Sequence, residues 1–374
     1  MSQAMAITFP TLPEVSLVAS RLTPGDGERG GDRRSSLPAP RTPDPLQAPA
    51  LNWGVIGPGG IASAFTESVR AYTAQRVVAV ASRSTERARA FAARFDVPAA
   101  YGDHRELLED RRVQVVYVAS PHSEHFTHAL DAIEAGKHVL VEKAFTRNAG
   151  EAEHLVAVAE RRGVFLMEAM WTRFLPHIDV VRQVLDSGLL GDVRTVIADH
   201  GQFMPEDAAH RLYAPELAGG ALLDLGVYPV SFASMVLGPF ATVTAVGTKA
   251  FTGVDGQTSV VVTNHEGAHG LLSTTLHART PTTATISGTR ARLELDGAFY
   301  APSSVRLIGR DNELLDVHSP SRLDGGLCFE AAEVARCVSA GRRESDLMPL
   351  AETLRIMRAL DDIRLTVGAR FPGE

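Results

Sequence analysis

The segment Leu51-Asn52-Trp53-Gly54-Val55-Ile56-Gly57-Pro58-Gly59-Gly60-Ile61-Ala62 reads as a strand, a tight turn and the opening of a helix. A short apolar run ends in glycine, and apolar residues then recur at helical spacing from 61 to 71. Within it, residues 57–62 fit the Gly-x-Gly-x-x-Gly/Ala pattern of a dinucleotide-binding turn, placed between strand and helix as that mechanism requires. Gly57 permits the tight turn, Gly59 lets backbone approach a pyrophosphate, and Ala62 keeps the helix close to the sheet. Gly60 and Ile61 begin the helix, whose free N–H groups and positive dipole end face the anion. For the bare hexamer the alternative is a glycine-rich turn without a ligand; the flanking strand and helix weigh against it.

Working outward, strand and helix patterns alternate. Strands are expected at 76–82, 113–119, 138–142 and 164–168, and helices at 85–95, with Ser84 as N-cap, at 122–135, ending at Gly136, and at 149–162. That alternation predicts an α/β, doubly wound (Rossmann) domain over residues 51–170, its parallel sheet covered on both faces. The second strand ends at Ala81-Ser82-Arg83-Ser84, where an NAD-binding chain offers a carboxylate to the ribose. A hydroxyl and a guanidinium stand there instead, a pair suited to a 2′-phosphate, so NADP is expected over NAD, with Ser82 and Arg83 as contacts and Arg87 in support. The alternative for Arg83 is a solvated surface side chain.

Three later segments narrow the reading: Ala119-Ser120-Pro121-His122-Ser123-Glu124-His125, Val141-Glu142-Lys143-Ala144, and Gly219-Gly220-Ala221-Leu222-Leu223-Asp224-Leu225-Gly226-Val227-Tyr228. With the glycine turn, in this order, they resemble the Gfo/Idh/MocA family of oxidoreductases. Residues 167–176, Met-Glu-Ala-Met-Trp-Thr-Arg-Phe-Leu-Pro, and a tyrosine at 228 resemble the branch of dimeric dihydrodiol dehydrogenases and xylose dehydrogenases. The likeness runs from about residue 51 to the C-terminus; one departure is Ala144, where the family pattern Glu-Lys-Pro has proline. The residues also speak without it. Lys143 ends a parallel strand, where the crevice of an open sheet forms, and a lysine there is a costly choice for packing alone. Asp224 and Tyr228, four apart, share a face if 224 opens the helix running to Leu237. The alternatives are a surface lysine, an acid favouring a helix dipole, and a core tyrosine. His122 and His125 read equally as a turn and a half-buried helix face, and no metal is expected from two histidines without a third ligand.

The resemblance implies a hydride transfer between a nicotinamide and a secondary alcohol of a sugar, polyol or trans-dihydrodiol. Pro121, His122, His125, Glu142 and Lys143 would then join the cofactor site. Lys143 would touch the ribose and the reacting oxygen, Tyr228 would shuttle the proton, its pKa lowered by the ammonium, and Asp224 would orient substrate or share that proton. Trp171, Arg173 and Phe174 would line the substrate pocket, unless Arg173 pairs with an acid. A dinucleotide-binding sensor without turnover is the alternative class.

After residue 170 the character changes. Strands are expected at 193–203, 241–249, 259–264, 269–275, 282–287 and 291–295, with turns at 264–267 and 287–290, a helix at 177–187, and helices at 329–339 and 350–367 that pack back on the body. This predicts, for 171–374, an α+β substrate domain with a largely antiparallel open sheet, one face covered by helices. The resemblance implies a homodimer through the other face.

Composition fits a folded chain of 374 residues, 45% hydrophobic and 22% charged. A net charge of −7 offers no field for nucleic acid or an anionic membrane. No uninterrupted apolar run long enough for a membrane span is seen, so a soluble protein is expected. Cys328 and Cys337 are too few for a disulfide framework and read as reduced and buried. Eight of the 21 prolines fall within residues 1–50, which read as a disordered extension. Arg33-Arg34 is followed by no apolar stretch, so export is not expected and a cytoplasmic location is.

Overall fold

The computed structural model describes residues 36–320 and 326–374. Its first layer grows from β1 (Asn52–Ile56), a strand buried along nearly its whole length, and α1 (Gly60–Tyr72). Trp53, Phe65 and Tyr117 seat the helix on the sheet, Phe65 stacking on Tyr117 with ring centroids 4.1 Å apart and meeting Trp53 edge-on at 5.4 Å. There follow β2 (Arg76–Ala81), α2 (Thr85–Phe95), β3 (Ala99–Tyr101), α3 (His104–Glu109), β4 (Val115–Val118), α4 (His122–Glu134), β5 (His138–Glu142), α5 (Ala149–Arg162) and β6 (Leu166–Ala169). Ser84 caps α2 as expected, its Oγ accepting Arg87 N–H at 3.3 Å. All pairings are parallel, in the order β3-β2-β1-β4-β5-β6. The order reverses beside β1, and the crevice lies there. The short β3 and α3 carry too few residues to show a periodicity and were not expected.

The second layer is an eight-stranded sheet in the order β14-β13-β12-β11-β7-β10-β9-β8. Its strands are β7 (Val193–Gly201), β8 (Phe240–Lys249), β9 (Asp255–Asn264), β10 (His269–Thr275), β11 (Ala284–Gly288), β12 (Ala291–Leu295), β13 (Val305–Gly309) and β14 (Leu314–His318). Every pairing is antiparallel except β7 with β10. β13 and β14 extend the sheet beyond the expected strands. α6 (Pro176–Asp186) precedes the sheet. A π-helical turn (Leu222–Gly226) leads into α7 (Val227–Leu237), which covers β7 and β10. Residues 215–237 are long and apolar enough on average to cross a membrane, although Glu216 and Asp224 interrupt the run, and 89% of their most apolar stretch is buried, as befits a core helix.

α8 (Cys328–Ser339) and α9 (Leu350–Thr366) return to the first domain. α8 packs on α1, where Cys328 N–H donates to Ser68 Oγ at 3.0 Å, and α9 on α5, where Ala149 N–H donates to Asp361 Oδ2 at 2.8 Å. Both cysteines are free and buried.

The expected extension differs over residues 36–50. Leu37 N–H donates to Asp316 at 2.8 Å, Arg41 N–H to Asp179 at 2.6 Å, and Gln75 Nε2 to the Pro49 carbonyl at 2.6 Å, while a 3₁₀ turn (Pro45–Gln47) buries Pro45. Side chains of the body supply the partners that this backbone would otherwise seek in water, and its prolines leave less chain entropy to lose. Residues 1–35, the rest of that extension, lie outside the described residues.

Candidate active site

A cleft of about 1240 Å³ opens at the C-terminal ends of β1, β2, β4 and β5 and is walled on its far side by the second domain. At Gly57, φ is +91° and an added Cβ would lie 2.8 Å from the Ala119 carbonyl, so the turn presses against the end of β4 and admits only glycine. At Gly59 and Gly60 an added Cβ would meet nothing within 4 Å. Their backbone faces the cleft, at the start of a helix with no side-chain cap, and Ile61 lines it too. This is a cradle for a pyrophosphate, and a dinucleotide fits the donors present. Ala62 is fully buried between helix and sheet. Ser82, Arg83 and Arg87 line one end, joined by His104 and Arg105 from α3. Pro121, His122, His125, Glu142 and Lys143 line the middle.

Both histidines are buried and serve backbone. His122 ring nitrogens lie 3.3 Å from the Ala218 and Lys143 carbonyls, and those of His125 lie 2.9 and 2.8 Å from the Ala144 and Ser120 carbonyls. Burial lowers their pKa values to about 3 and about 4. They are neutral struts at neutral pH. The buried Glu142 carboxylate accepts Lys143 N–H at 3.2 Å and the Tyr117 hydroxyl. The peptide bond joining Lys143 to Ala144 is cis.

From the second domain come Asp224 and Tyr228. Lys143 Nζ donates to the Asp224 carbonyl at 2.8 Å and to its Oδ1 at 3.1 Å. Arg211 grips the same carboxylate with two N–H groups, each at 3.1 Å. Burial alone would raise the pKa of Asp224; Lys143 and Arg211 more than offset it and hold the carboxyl well below the usual range. Asp224 is therefore a fixed anion rather than a proton carrier. Lys143 Nζ also lies 5.0 Å from the centre of the Tyr228 ring. Contrary to the expected lowering, burial and then the charge of Glu142 raise the Tyr228 pKa well above 10. The ammonium is already matched by Asp224, so it cannot offset the desolvation of a phenolate.

Of the expected substrate wall, only Trp171 touches the site, donating Nε1–H to Tyr228 Oη at 3.1 Å. Arg173 and Phe174, in the 3₁₀ turn Trp171–Phe174, are corrected to core residues. The Arg173 guanidinium is buried against Glu352 at 2.7 Å and Ser231, and Phe174 is 2% exposed. The wall is made instead by Tyr300, which stacks on Tyr228 at 4.5 Å, by His200, which stacks on Tyr300 at 4.5 Å, and by Gln202, Met204 and Arg211. The polar His200 and Gln202 at the end of an apolar strand were a visible signal. Tyr300 had none, because it reaches Tyr228 only when the sheet folds.

Comparison with known proteins agrees with this geometry. Residues 51–170 match the model of the oxidoreductase family with an NAD-binding Rossmann fold, Gfo/Idh/MocA, and residues 178–294 match a Gfo/Idh/MocA C-terminal domain. The trans-1,2-dihydrobenzene-1,2-diol dehydrogenase of Bos taurus is 37% identical over 332 residues, covering 86% of this chain and 98% of that protein. The Homo sapiens protein of the same name is 36% identical over 331 residues, with the same coverage. Among solved structures, the 3-ketoreductase KijD10 of Actinomadura kijaniata, in complex with NADP and TDP-benzene, superposes with a TM-score of 0.75 at 29% identity, over 85% of this chain and 98% of that one. An aldose-aldose oxidoreductase of Caulobacter crescentus, complexed with glycerol, shares the fold with a TM-score of 0.77 at 23% identity, over 85% and 98%. Fold and site thus define an enzyme, a dinucleotide-dependent dehydrogenase of CH–OH groups. The chain belongs to the Gfo/Idh/MocA family.

Proposed function

We propose that this protein transfers a hydride between NADP and a secondary alcohol of a sugar, polyol or trans-dihydrodiol. The observation that carries the reading is the convergence of Lys143 with Asp224 and Tyr228, from two domains, beside the glycine turn. NADP would supply the hydride chemistry when bound, held by the glycine turn at 57–62, by Ser82 and Arg83, and by Lys143. A secondary alcohol is a very weak acid, so hydride departure must be coupled to proton removal at a placed group. Asp224 holds Lys143 so that its ammonium faces the reacting oxygen. Tyr228 keeps its proton at neutral pH, the state that donates to a carbonyl oxygen in the reductive direction and leaves a phenolate; oxidation is the reverse and needs that phenolate to take the proton of the alcohol, so it is favoured by rising pH. Tyr300 and His200 offer flat faces to an apolar sugar face or a diol ring. The names of the relatives and the NADP held by the ketoreductase support this reading.

The protein acts, in this proposal, as a cytoplasmic homodimer. Val261, Leu271 and Ile197 lie side by side in register across β9, β10 and β7, all exposed on the sheet face opposite α7. Such an apolar row suits a second copy.

Purified protein offered NADP with pentoses, hexoses, inositols and trans-dihydrodiols should turn over one of these classes. Lys143→Met and Tyr228→Phe should each lower kcat by roughly 10²-fold or more while folding survives. Near-wild-type turnover in Tyr228→Phe would overturn the proton assignment. Tight cofactor binding with no turnover on any class would favour the sensor.

A further inference from the structure

Asp255, the first residue of β9, has no part in the chemistry above. Its side chain is 2% exposed and sits by a small apolar cluster that includes Val254, Leu276, Ala221 and Leu225. An acid there is costly to bury unless its charge is met by hydrogen bonds. Its Oδ2 accepts the Leu222 N–H at 2.6 Å, at the first residue of the π-helical turn that carries Asp224 and runs on into the helix of Tyr228. Its Oδ1 fills the space above Gly220, where φ is +126° and an added Cβ would lie 2.1 Å from that oxygen. Gly220 N–H in turn donates to the Leu212 carbonyl at 2.8 Å, next to Arg211, the second partner of Asp224. One carboxylate on the rigid sheet therefore meets the backbone where the Arg211 loop ends and the Asp224 segment begins.

We propose that Asp255 is a positioning residue that clamps residues 220–222 to the sheet and so sets Asp224 and Tyr228 against Lys143. The inference rests on the functional reading above for its kinetic consequence, but not for the clamp itself. A turn of π-helix is the less regular way to continue a helix, and its start is where an outside acceptor has most effect on its geometry. Burial pushes the Asp255 pKa up to about 7, opposed by the N–H groups of Leu222, Asp255 and Ala221 and, less, by the charge of Arg364, the balance expected of a carboxylate held mainly by backbone donors.

The test compares Asp255→Ala with Asp255→Asn, whose amide oxygen still accepts the Leu222 N–H. Hydrogen exchange of amides 221–228 should speed up about tenfold or more in Asp255→Ala and return most of the way in Asp255→Asn. On the substrate found in the screen, kcat should fall about tenfold in Asp255→Ala, recover in Asp255→Asn, and leave the NADP Kd within about twofold, because the glycine turn is untouched. Should Asp255→Ala not fold, Asp255→Ser, whose shorter side chain withdraws the acceptor from the Leu222 N–H but keeps a polar group in the pocket, should give the same exchange and kcat losses. Unchanged exchange at 221–228 in the folded variant would overturn the clamp, and faster exchange with unchanged kcat would overturn the positioning role. Failure of the functional reading shows elsewhere, as undiminished turnover in Tyr228→Phe.

Discussion

Lys143 and Arg211 both bind Asp224, and that arrangement fixes its charge. With two cations on its oxygens Asp224 stays ionised, whereas Tyr228, buried beside Glu142, keeps its hydrogen. At the other end of the cleft the exposed Arg83 stands at the end of β2, where a carboxylate would favour NAD. NADP should bind at least ~10-fold more tightly than NAD, since a hydrogen bond to a charged group contributes ~1.5–3 kcal/mol, and Arg83→Ala should erase most of the gap. Equal dissociation constants for the two cofactors in the wild type would contradict this. A second residue-scale effect concerns Glu168, fully buried, where desolvation outweighs the nearby Thr353 hydroxyl, the charge of Arg173 and the Phe145 N–H. Burial pushes its pKa from 4.5 to about 7. The unfolded chain therefore loses this proton first as pH rises, and the stability it contributes below pH 4.5 is lost by about pH 7. Glu168→Gln does not titrate. Urea unfolding at pH 4 and pH 8 should show the variant gaining about 3 kcal/mol on the wild type between the two; a constant difference would mean that Glu168 is not held protonated.

The elements explain why neighbours in sequence part company. Residues 171–174 form one 3₁₀ turn, yet Trp171 reaches Tyr228 while Arg173 points to α7 and α9. Arg173 meets Glu352 with both side chains at most 6% exposed, and Ser231 satisfies two more of its donor contacts. Removing one partner of such a pair leaves a buried charge under-matched, though Glu352 keeps Arg355 and Ser234. Arg173→Met should therefore cost about 3 kcal/mol in denaturant unfolding and leave the NADP Kd and the substrate KM within about twofold. A large rise in KM at unchanged stability would return Arg173 to the substrate wall. The π-helical turn is a second case. A helix opening at Asp224 was expected from the i, i+4 spacing, but the turn at Leu222–Gly226 is wider, and both side chains still line the cleft because α7 is seated on β7.

At the scale of the whole molecule, α8 and α9, which follow the second sheet, and the segment 36–50, which precedes the first, tie the two domains together. A chain beginning at Pro49 should melt at least about 3 °C below one beginning at Ser36, since it lacks the Arg41–Asp179 contact and the Pro45 seat; equal melting temperatures would show that the segment contributes nothing. The doubly wound domain, its glycine turn, and the candidates Lys143, Asp224 and Tyr228 were all legible in the sequence, because each rests on local pattern: apolar period, a φ that only glycine accepts, a charged residue closing a buried strand. The strand β13 carries a legible alternation, with Val305 and Leu307 about Arg306, whereas β14 is mostly exposed and does not stand out. What the sequence by itself determined was which segments form strands and helices and which polar residues sit at their ends. Only the tertiary structure decided that Arg211 and Lys143 share one carboxylate, that Tyr300 and His200 rather than Arg173 and Phe174 make the wall, and that Tyr228 keeps its proton. Those outcomes depend on burial and on distances between residues far apart in the chain, and neither quantity exists until the two sheets have packed.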